Sequence, residues 1–526
     1  MYKVLIADNV SDEGIEMLQA APDFEVSVQK DISAEDLIKE VGKYHALIVR
    51  SRTQVTKEVL EAGENLKVVG RAGVGVDNID LDAATSRGIV VLNAPEGNTI
   101  STAEHTVAMM LALARHIPQA NQSLIEGRWD RKKFVGSEMA GKTLGVIGFG
   151  RIGSTVARIA QGFHMNVLAY DPFITEERAK DMGVTAASLE TIFAQADIIT
   201  IHTPKTPETD NLINKETIAK MKDGVRIINC ARGGIVNEAD LVEALKSGKV
   251  AGAALDVYPQ EPPADFDLFK APNLIATPHL AASTVEAQVN VAIDVIKEVM
   301  AALRGEPLKS AVNMPILRPE AFAKVKPYIK LAERLGSFMG QVLSGAVQEV
   351  EVTYSGQLAD YAVSPLTAAV LKGLLRPAFG AEVNSVNASY LARKRGIKVT
   401  ESKRSNGNYT NLIHLAANTS SGRQQMAATL FGDGSQRIVQ IGEYYIDAVP
   451  EGHLLVTRHK DRPGIIGAVG SILGDGEINI ASMQLGRSEV GGEAVMVLRV
   501  DQPIPQKLLD KLGRYPDIEM VHFVTL

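Results

Sequence analysis

The stretch TLGVIGFGRIGSTVARIAQGFHMNVLAYD, Thr143 to Asp171, decides how the rest of the chain is read. TLGVI has the length and apolar content of a buried strand and STVARIAQGF continues as a helix, so Gly148, Gly150 and Gly153 form GxGxxG at a strand-to-helix turn. Glycines there let the backbone, with Arg151 and Ile152 between them, approach a pyrophosphate whose charge meets the helix N-terminus. The next strand, VLAYD, closes on Asp171, eighteen residues after the last glycine. A carboxylate at that place accepts hydrogen bonds from a ribose and repels a 2′-phosphate, so the expected cofactor is NAD rather than NADP. The bland alternative is a tight glycine turn beside a helix-capping aspartate.

Working outward, YKVLIAD, ALIVRS, KVVGRAG, ADIITIHTP, VRIINCARG and NLIATPH alternate with helical stretches, which predicts βαβ units and parallel sheets. The glycine motif falls near Gly145 and not at the N-terminus, so a small domain precedes the nucleotide domain. Two helical patterns are expected to cross between them: Thr99 to His116, and Ser283 to Leu303, opened by a capping box of Ser283 and Glu286. A returning second helix makes the small, substrate-binding domain discontinuous, residues 1–98 and 291–316, around a nucleotide domain of residues 99–290. Residues 317–450, with the polar turn KRSNGNYTN and the basic stretch NASYLARKRGI, read as a separate α+β domain. Residues 453–526 read as βαββαβ, a ferredoxin-like module. The expected fold class is α/β, with two Rossmann-like parallel-sheet domains, an α+β domain and the ferredoxin-like tail.

The chain of 526 residues is too long for one core, and its 45% apolar and 22% charged residues are ordinary globular usage. No window approaches a membrane span, and MYKVLIADNV enters a strand without the features of a leader. One cysteine permits no intrachain disulfide, which fits a reducing cytoplasm. The net charge of -7 argues against a general nucleic-acid binder, so an anionic small substrate needs a local basic pocket. No metal ligand set and no membrane partner are expected.

In IINCARGGIVNEAD, a core strand ends at Cys230 and delivers Arg232, followed by two glycines, to the sheet edge where open parallel sheets bind ligands. Glu261, in LDVYPQEPP, and His279, in ATPHL, lie just beyond the next two strands. Hydride removal from an alcohol carbon needs a base for the hydroxyl proton, and histidine titrates in the right range. A carboxylate on the other ring nitrogen fixes the tautomer, and an arginine holds a substrate carboxylate bidentately. Singly, the three also read as a surface arginine, a glutamate in a proline-rich loop and a strand-end histidine.

Together GFGRIG, HTPKTPETDNLIN, NCARGGIVNEADLVEAL, ALDVYPQEPP and TPHLAAST resemble the NAD-dependent D-2-hydroxyacid dehydrogenases from the N-terminus to about residue 310. Within that family the arrangement is similar to the long-form members, in which an intervening domain and a C-terminal ACT domain follow the catalytic part. The resemblance implies NAD-dependent oxidation of 3-phosphoglycerate to 3-phosphohydroxypyruvate, the step that commits carbon to L-serine, in a homo-oligomeric dimer or tetramer. It implies that Arg232 binds substrate, that Glu261 and His279 form the proton relay, and that Asp256 contacts the nicotinamide amide. Thr203 and Pro204 are implied to line the cofactor groove, with Cys230 and Ala231 beside them.

The basic pocket is expected where Arg50, Ser51 and Arg52 end one small-domain strand and Arg71 to Gly75 end the next. The amides of Val74 and Gly75 suit a carboxylate, and the arginines suit a phosphate. The cluster GRWDRKK around Trp129 reads as a dimer contact that also reaches a neighbouring active site, or as a plain basic loop. Cys230 reads as a small buried residue rather than a nucleophile, and His105, His116 and His164 as structural. In the tail, RHKDRPGIIGAVGSIL followed by INIASM is similar to the ACT pattern, so Asp461, Gly464 and Asn479 are expected to hold an amino-acid effector such as L-serine across a dimer interface. The alternative is a module that serves only as a dimerisation surface. Two rival functions use the same motifs: a glyoxylate or hydroxypyruvate reductase, and an NAD-sensing scaffold.

Overall fold

A computed structural model describes residues 1–317, 319–405 and 409–526. The small domain is a five-stranded parallel sheet in the order Phe24–Val28, Tyr2–Ile6, Ala46–Val49, Val68–Arg71, Val90–Leu92. Every residue of Ala46–Val49 is buried, as a parallel strand covered on both faces requires. Phe24–Val28 and Val90–Leu92 were missed in the sequence because one carries two polar residues and the other is only three residues long. The helix Val285–Arg304 returns to this sheet, burying Ala292, Val295, Ile296 and Val299 in its core. Its approach is close: a methyl on Gly70 would lie 2.7 Å from Val299 Cγ2.

The second sheet has seven parallel strands, ordered Leu274–Ala276, Val250–Leu255, Val225–Asn229, Ile198–Ile201, Thr143–Ile147, Asn166–Tyr170, Thr185–Ala186. The order reverses between Thr143–Ile147 and Ile198–Ile201, so a crevice opens beyond their C-terminal ends, where such sheets bind ligands.

Both crossing helices differ in detail from the sequence expectation. The first is Thr99–Ala114, not Thr99 to His116, because His116 adopts φ 53° and turns the chain into a second helix, Ile117–Ile125. The second is capped by Thr284 and not Ser283: Thr284 Oγ1 accepts from Ala287 N at 3.1 Å. That hydroxyl also lies 2.7 Å from Ser101 Oγ, tying the two crossing helices together.

Beyond them, six strands form a mixed sheet in the order Lys398–Arg404, Val347–Gly356, Asn411–Thr419, Gly422–Leu430, Gln436–Ile441, Tyr444–Ala448. The helices Pro319–Val342 and Ser364–Phe379 pack on it, and NASYLARKRGI contains the helix Ala388–Lys394. The middle of KRSNGNYTN, residues 406–408, lies outside the described residues.

The tail is an antiparallel sheet in the order Ile480–Arg487, Glu493–Val500, His453–Lys460, Ile518–Thr525, with helices Ile465–Asp475 and Gln506–Gly513. Alternation along its strands splits two cores: Leu455, Met496 and Leu498 face its own helices, while Leu454, Val456, Val495 and Val497 join the core of the preceding domain. Among the described residues no helix is long and apolar enough to cross a membrane.

Candidate active site

The three glycines of the motif solve different problems. Gly148 has φ 92°, in the left-handed region, and a methyl on it would lie 2.5 Å from the His202 carbonyl oxygen. A methyl on Gly153 would lie 2.0 Å from the Gly148 carbonyl oxygen, so helix and strand could not approach. Around Gly150 nothing lies within 4 Å of a built methyl, which leaves its backbone open at the start of the helix Arg151–Gly162. A cleft of about 460 Å³ follows, lined by Gly150, Arg151, Ser154, Phe173, Arg178 and Asp171. The Asp171 carboxylate is aimed by two amides, Phe149 N and Phe173 N, each at 2.9 Å.

Thr203 packs against Gly148, and its hydroxyl is buried with no hydrogen-bond partner. An open glycine backbone, an aimed carboxylate and an orphaned hydroxyl at the reversal of strand order fit a dinucleotide. Cys230 is buried beside them, and burial, then the nearby Asp256 charge, pushes its thiol up to about 12, so it is not a thiolate nucleophile.

Arg232 is presented by a turn that Asn229 fixes. This buried side chain donates to Arg232 O at 2.9 Å and accepts from Ala231 N at 3.0 Å. Gly233 is required because a methyl there would lie 1.9 Å from the Tyr258 carbonyl carbon, so the bare backbone admits the neighbouring strand end. The guanidinium donates to Ala231 O at 2.7 Å and lies against Gly75 of the small domain.

Glu261 and His279 meet beyond the next two strand ends. His279 Nδ1 lies 2.6 Å from Glu261 Oε2, and the other carboxylate oxygen accepts from Tyr258 N at 3.0 Å. Burial works to raise the Glu261 carboxyl, but the His279 and Tyr258 hydrogen bonds outweigh it, leaving it below the usual carboxylate range. Tyr258 in turn donates to Thr277 O at 2.9 Å, and its phenol is pushed up to about 12 by burial and the adjacent carboxylates.

Asp256 is fully buried, and its oxygens accept from Thr277 Oγ1 at 2.5 Å, Leu280 N at 2.7 Å and Ala281 N at 2.9 Å. The resemblance puts this carboxylate at the nicotinamide amide; here it is turned into the segment that carries His279. His105, read from the sequence as structural, lies 3.3 Å from Thr277 Oγ1 and 3.4 Å from Asp256 Oδ1. Its partners lie far along the chain, where no local pattern marks them.

The small domain supplies the basic groups. Arg71 is pushed down to about 10, by burial first and then by Arg232 and Arg50. The register pairs Val49 with Arg71, so Arg50 stands just past the neighbouring strand end, and the Arg71 and Arg232 guanidinium groups lie against Gly73 and Gly75 of one segment. The Arg71 Nε is buried and has no partner. Arg50 leads a loop held by Asp8, which accepts from Arg50 N at 2.7 Å, and by Asn78, which donates to Arg50 O at 2.8 Å. Ser51 is exposed on the same loop, while Arg52 turns away to Asp31 at 2.7 Å. Asn93 donates to Val74 O at 2.6 Å, steadying the segment whose amides include Val74 and Gly75.

The NAD-binding domain model of the D-isomer-specific 2-hydroxyacid dehydrogenases matches residues 107–281, the D-3-phosphoglycerate dehydrogenase intervening domain 324–442, and the ACT domain 453–517. A D-3-phosphoglycerate dehydrogenase of Bacillus subtilis is 49% identical, covering 100% of both chains. One of Synechocystis sp. is 48% identical over 100% of this chain and 95% of its own. The chain belongs to the D-3-phosphoglycerate dehydrogenase family. It is therefore an NAD-dependent enzyme of the D-2-hydroxyacid dehydrogenases. A crystal structure of a glyoxylate reductase from Paecilomyes thermophila covers 59% of this chain and 98% of its own, with 30% identity and a TM-score of 0.55.

In a member of this family Asp171→Ala should narrow the preference for NAD over NADP, because it removes the aimed acceptor and the charge opposing a 2′-phosphate. KM values for the two cofactors check this, and an unchanged ratio would refute it.

Two further groups from the sequence reading lie elsewhere. Trp129 is 77% exposed; Arg128 pairs with Glu126, and Lys133 with Asp130 at 2.8 Å. In the ACT module the register pairs Lys460 with Glu493 at one end, and at the other pairs His453 with Val500 and Val500 in turn with Ile480. Asp461 follows the first end and Asn479 precedes the second, so one chain holds them at opposite ends of a strand roughly 25 Å long. Asp461 is engaged by Arg487 at 2.9 Å and Asn479 by Asp501 at 2.6 Å, while Gly464 opens the helix at φ 95°.

Proposed function

We propose that the chain oxidises carbon 2 of D-3-phosphoglycerate to give 3-phosphohydroxypyruvate, the first step of a route to L-serine, in a reducing cytoplasm. The observation that carries the reading is the placing of Arg50 and Arg71 at adjoining strand ends and of Arg71 and Arg232 against one glycine segment, with an unpartnered buried nitrogen on Arg71, on a chain whose next strand ends carry the Glu261–His279 pair. A substrate with a phosphate and a carboxylate uses that much positive charge; glyoxylate, with one carboxylate, does not. The intact pair weighs against a sensing scaffold.

Gly148, Gly150, Gly153, Asp171, Thr203 and Pro204 would hold NAD, which supplies the hydride acceptor. The amides of Val74 and Gly75 and the fork of Arg232 receive the substrate carboxylate, and Arg50 and Arg71 receive the phosphate. Because Nδ1 of His279 is taken by Glu261, Nε2 faces the substrate hydroxyl and accepts its proton as the carbonyl forms. Glu261, ionised, then stabilises the imidazolium. NADH formation with 3-phosphoglycerate, against glyoxylate and hydroxypyruvate in the reverse direction, tests the reading; no turnover of the phosphorylated substrate would end it.

Regulation belongs to the same reading. Asp461 and Asn479 are separated within one ACT module, so an effector amino acid that touches both needs two copies of the chain, which supports a dimer or tetramer. The exposed Trp129 supports a second contact between copies, one that brings Arg131 and Lys132 towards a neighbouring active site. Serine is expected to inhibit the full chain, and Asn479→Ala to shift that inhibition to higher serine while uninhibited turnover is kept. A serine titration of both proteins decides; equal sensitivity would place the effector elsewhere.

A further inference from the structure

Asp77 brings a carboxylate into the arginine cluster. Its Oδ2 lies 3.2 Å from Arg232 Nε, and the contact joins the small domain, where Asp77 follows the strand Val68–Arg71, to the strand end of the nucleotide domain. A methyl built on Gly75 would lie 2.7 Å from that same oxygen and 2.1 Å from Arg232 Nη2. Both charged groups therefore press on the bare α-carbon of Gly75, beside the amides suited to a carboxylate.

We propose that Asp77 is an internal stand-in for the substrate carboxylate: it neutralises Arg232 while no anion is bound and surrenders the guanidinium when a 2-hydroxy acid enters. The proposal rests on the functional reading above and deepens it, since it makes Asp77 a determinant of anion affinity. Three features support it. The Asp77 side chain is 76% exposed, so it can turn into water without leaving a buried charge unpaired. Arg71 is eased by the Asp77 charge but strained by Arg232 and Arg50, so a cluster stripped of Asp77 attracts an anion more strongly. Finally, the contact is made through Arg232 Nε, one of the donors a bidentate carboxylate would use.

Asp77→Asn keeps the size of the side chain and removes the competing charge. KM for 3-phosphoglycerate should fall about two- to fivefold, the range an exposed ion pair spans, with KM for NAD unmoved. The dependence of KM on salt should steepen, because the cluster gains net positive charge. Asp77→Glu should return KM towards the wild-type value. A pair that merely latches the two domains together predicts the opposite, a raised KM for both substrates, and that result, or no change, would overturn the proposal. If the wild-type chain forms no NADH from 3-phosphoglycerate, the functional reading fails separately. Calorimetric binding of oxalate to the wild type, Asp77→Asn and Asp77→Asn/Arg232→Ala still decides the role of Asp77: tighter binding only where Arg232 is present supports it, and equal binding overturns it.

Discussion

His279→Ala is expected to lower turnover by about 10²- to 10⁴-fold, the scale of lost general acid-base assistance, while NAD binding is nearly kept. The argument starts at the strand ends. His279 sits at φ 54°, a left-handed conformation that the surrounding Thr277–Ala281 segment imposes, and its Nδ1 is held 2.6 Å from Glu261. Among the described residues no other imidazole lies on this sheet edge in a position to replace it: His105 is spent behind the segment, and His202 is pushed down to about 3 by burial. Removing the ring therefore leaves the substrate hydroxyl proton to water. Glu261→Gln gives the companion result. The carboxyl is held below its ordinary range, so it is charged wherever the enzyme works; its loss disfavours the imidazolium and moves the acidic limb of the oxidation rate profile to lower pH. Single-turnover rates and cofactor fluorescence measured together check both. A His279→Ala enzyme with near-normal turnover, or an unmoved limb in Glu261→Gln, would sink the relay.

What the sequence disclosed and what it hid divide along a physical line. The positions of Gly148, Gly150, Gly153 and Asp171 at a strand-to-helix turn and the next strand end are legible because such a turn needs particular residues at short, fixed spacing, and the strand-end positions of Arg232 and His279 because each stands three residues past its strand, while Glu261, six past Leu255, is placed by its pairing with His279. Asn229, Asp8 and Asn78, and the partners of His105, are not legible because their roles depend on pairings that no local pattern marks. His105 meets Thr277 across 172 positions, and Asp8 holds the amide of Arg50 across 42. The cap at Thr284 rather than Ser283 is the same lesson on a smaller scale: either residue suits the position, and the contact with Ser101 coincides with the one used. Arg50 and Arg52 are likewise equivalent in sequence, yet only Arg52 is drawn off by Asp31.

The second large effect is expected at Asp256, where a group that touches no solvent holds the segment that carries His279. Asp256→Asn should destabilise the nucleotide domain by about 2–4 kcal/mol and lower turnover as well, because an amide nitrogen would now face a backbone donor that the carboxylate had satisfied. Oδ2 accepts only from Ala281 N at 2.9 Å, whereas Oδ1 takes both Thr277 Oγ1 and Leu280 N, so Asn will keep its oxygen on the busier side and turn its NH₂ against Ala281. The pH dependence separates this from a general packing defect. Burial alone would raise the Asp256 carboxyl, but the hydrogen bonds from His105, Thr277, Leu280 and Ala281 outweigh it and leave it below its ordinary value. A carboxyl lowered in the folded state contributes stability that is fully present above its unfolded value of about 4 and is lost as pH falls through the lower folded value. Once protonated, the acid resembles the amide in offering a donor where an acceptor was needed. The gap between wild type and Asp256→Asn should therefore be widest above about pH 5 and shrink below about pH 4, as both proteins approach the same neutral side chain. Denaturant midpoints taken across that range measure it. A gap that stays constant with pH would show that the carboxylate charge is not what pins the His279 segment.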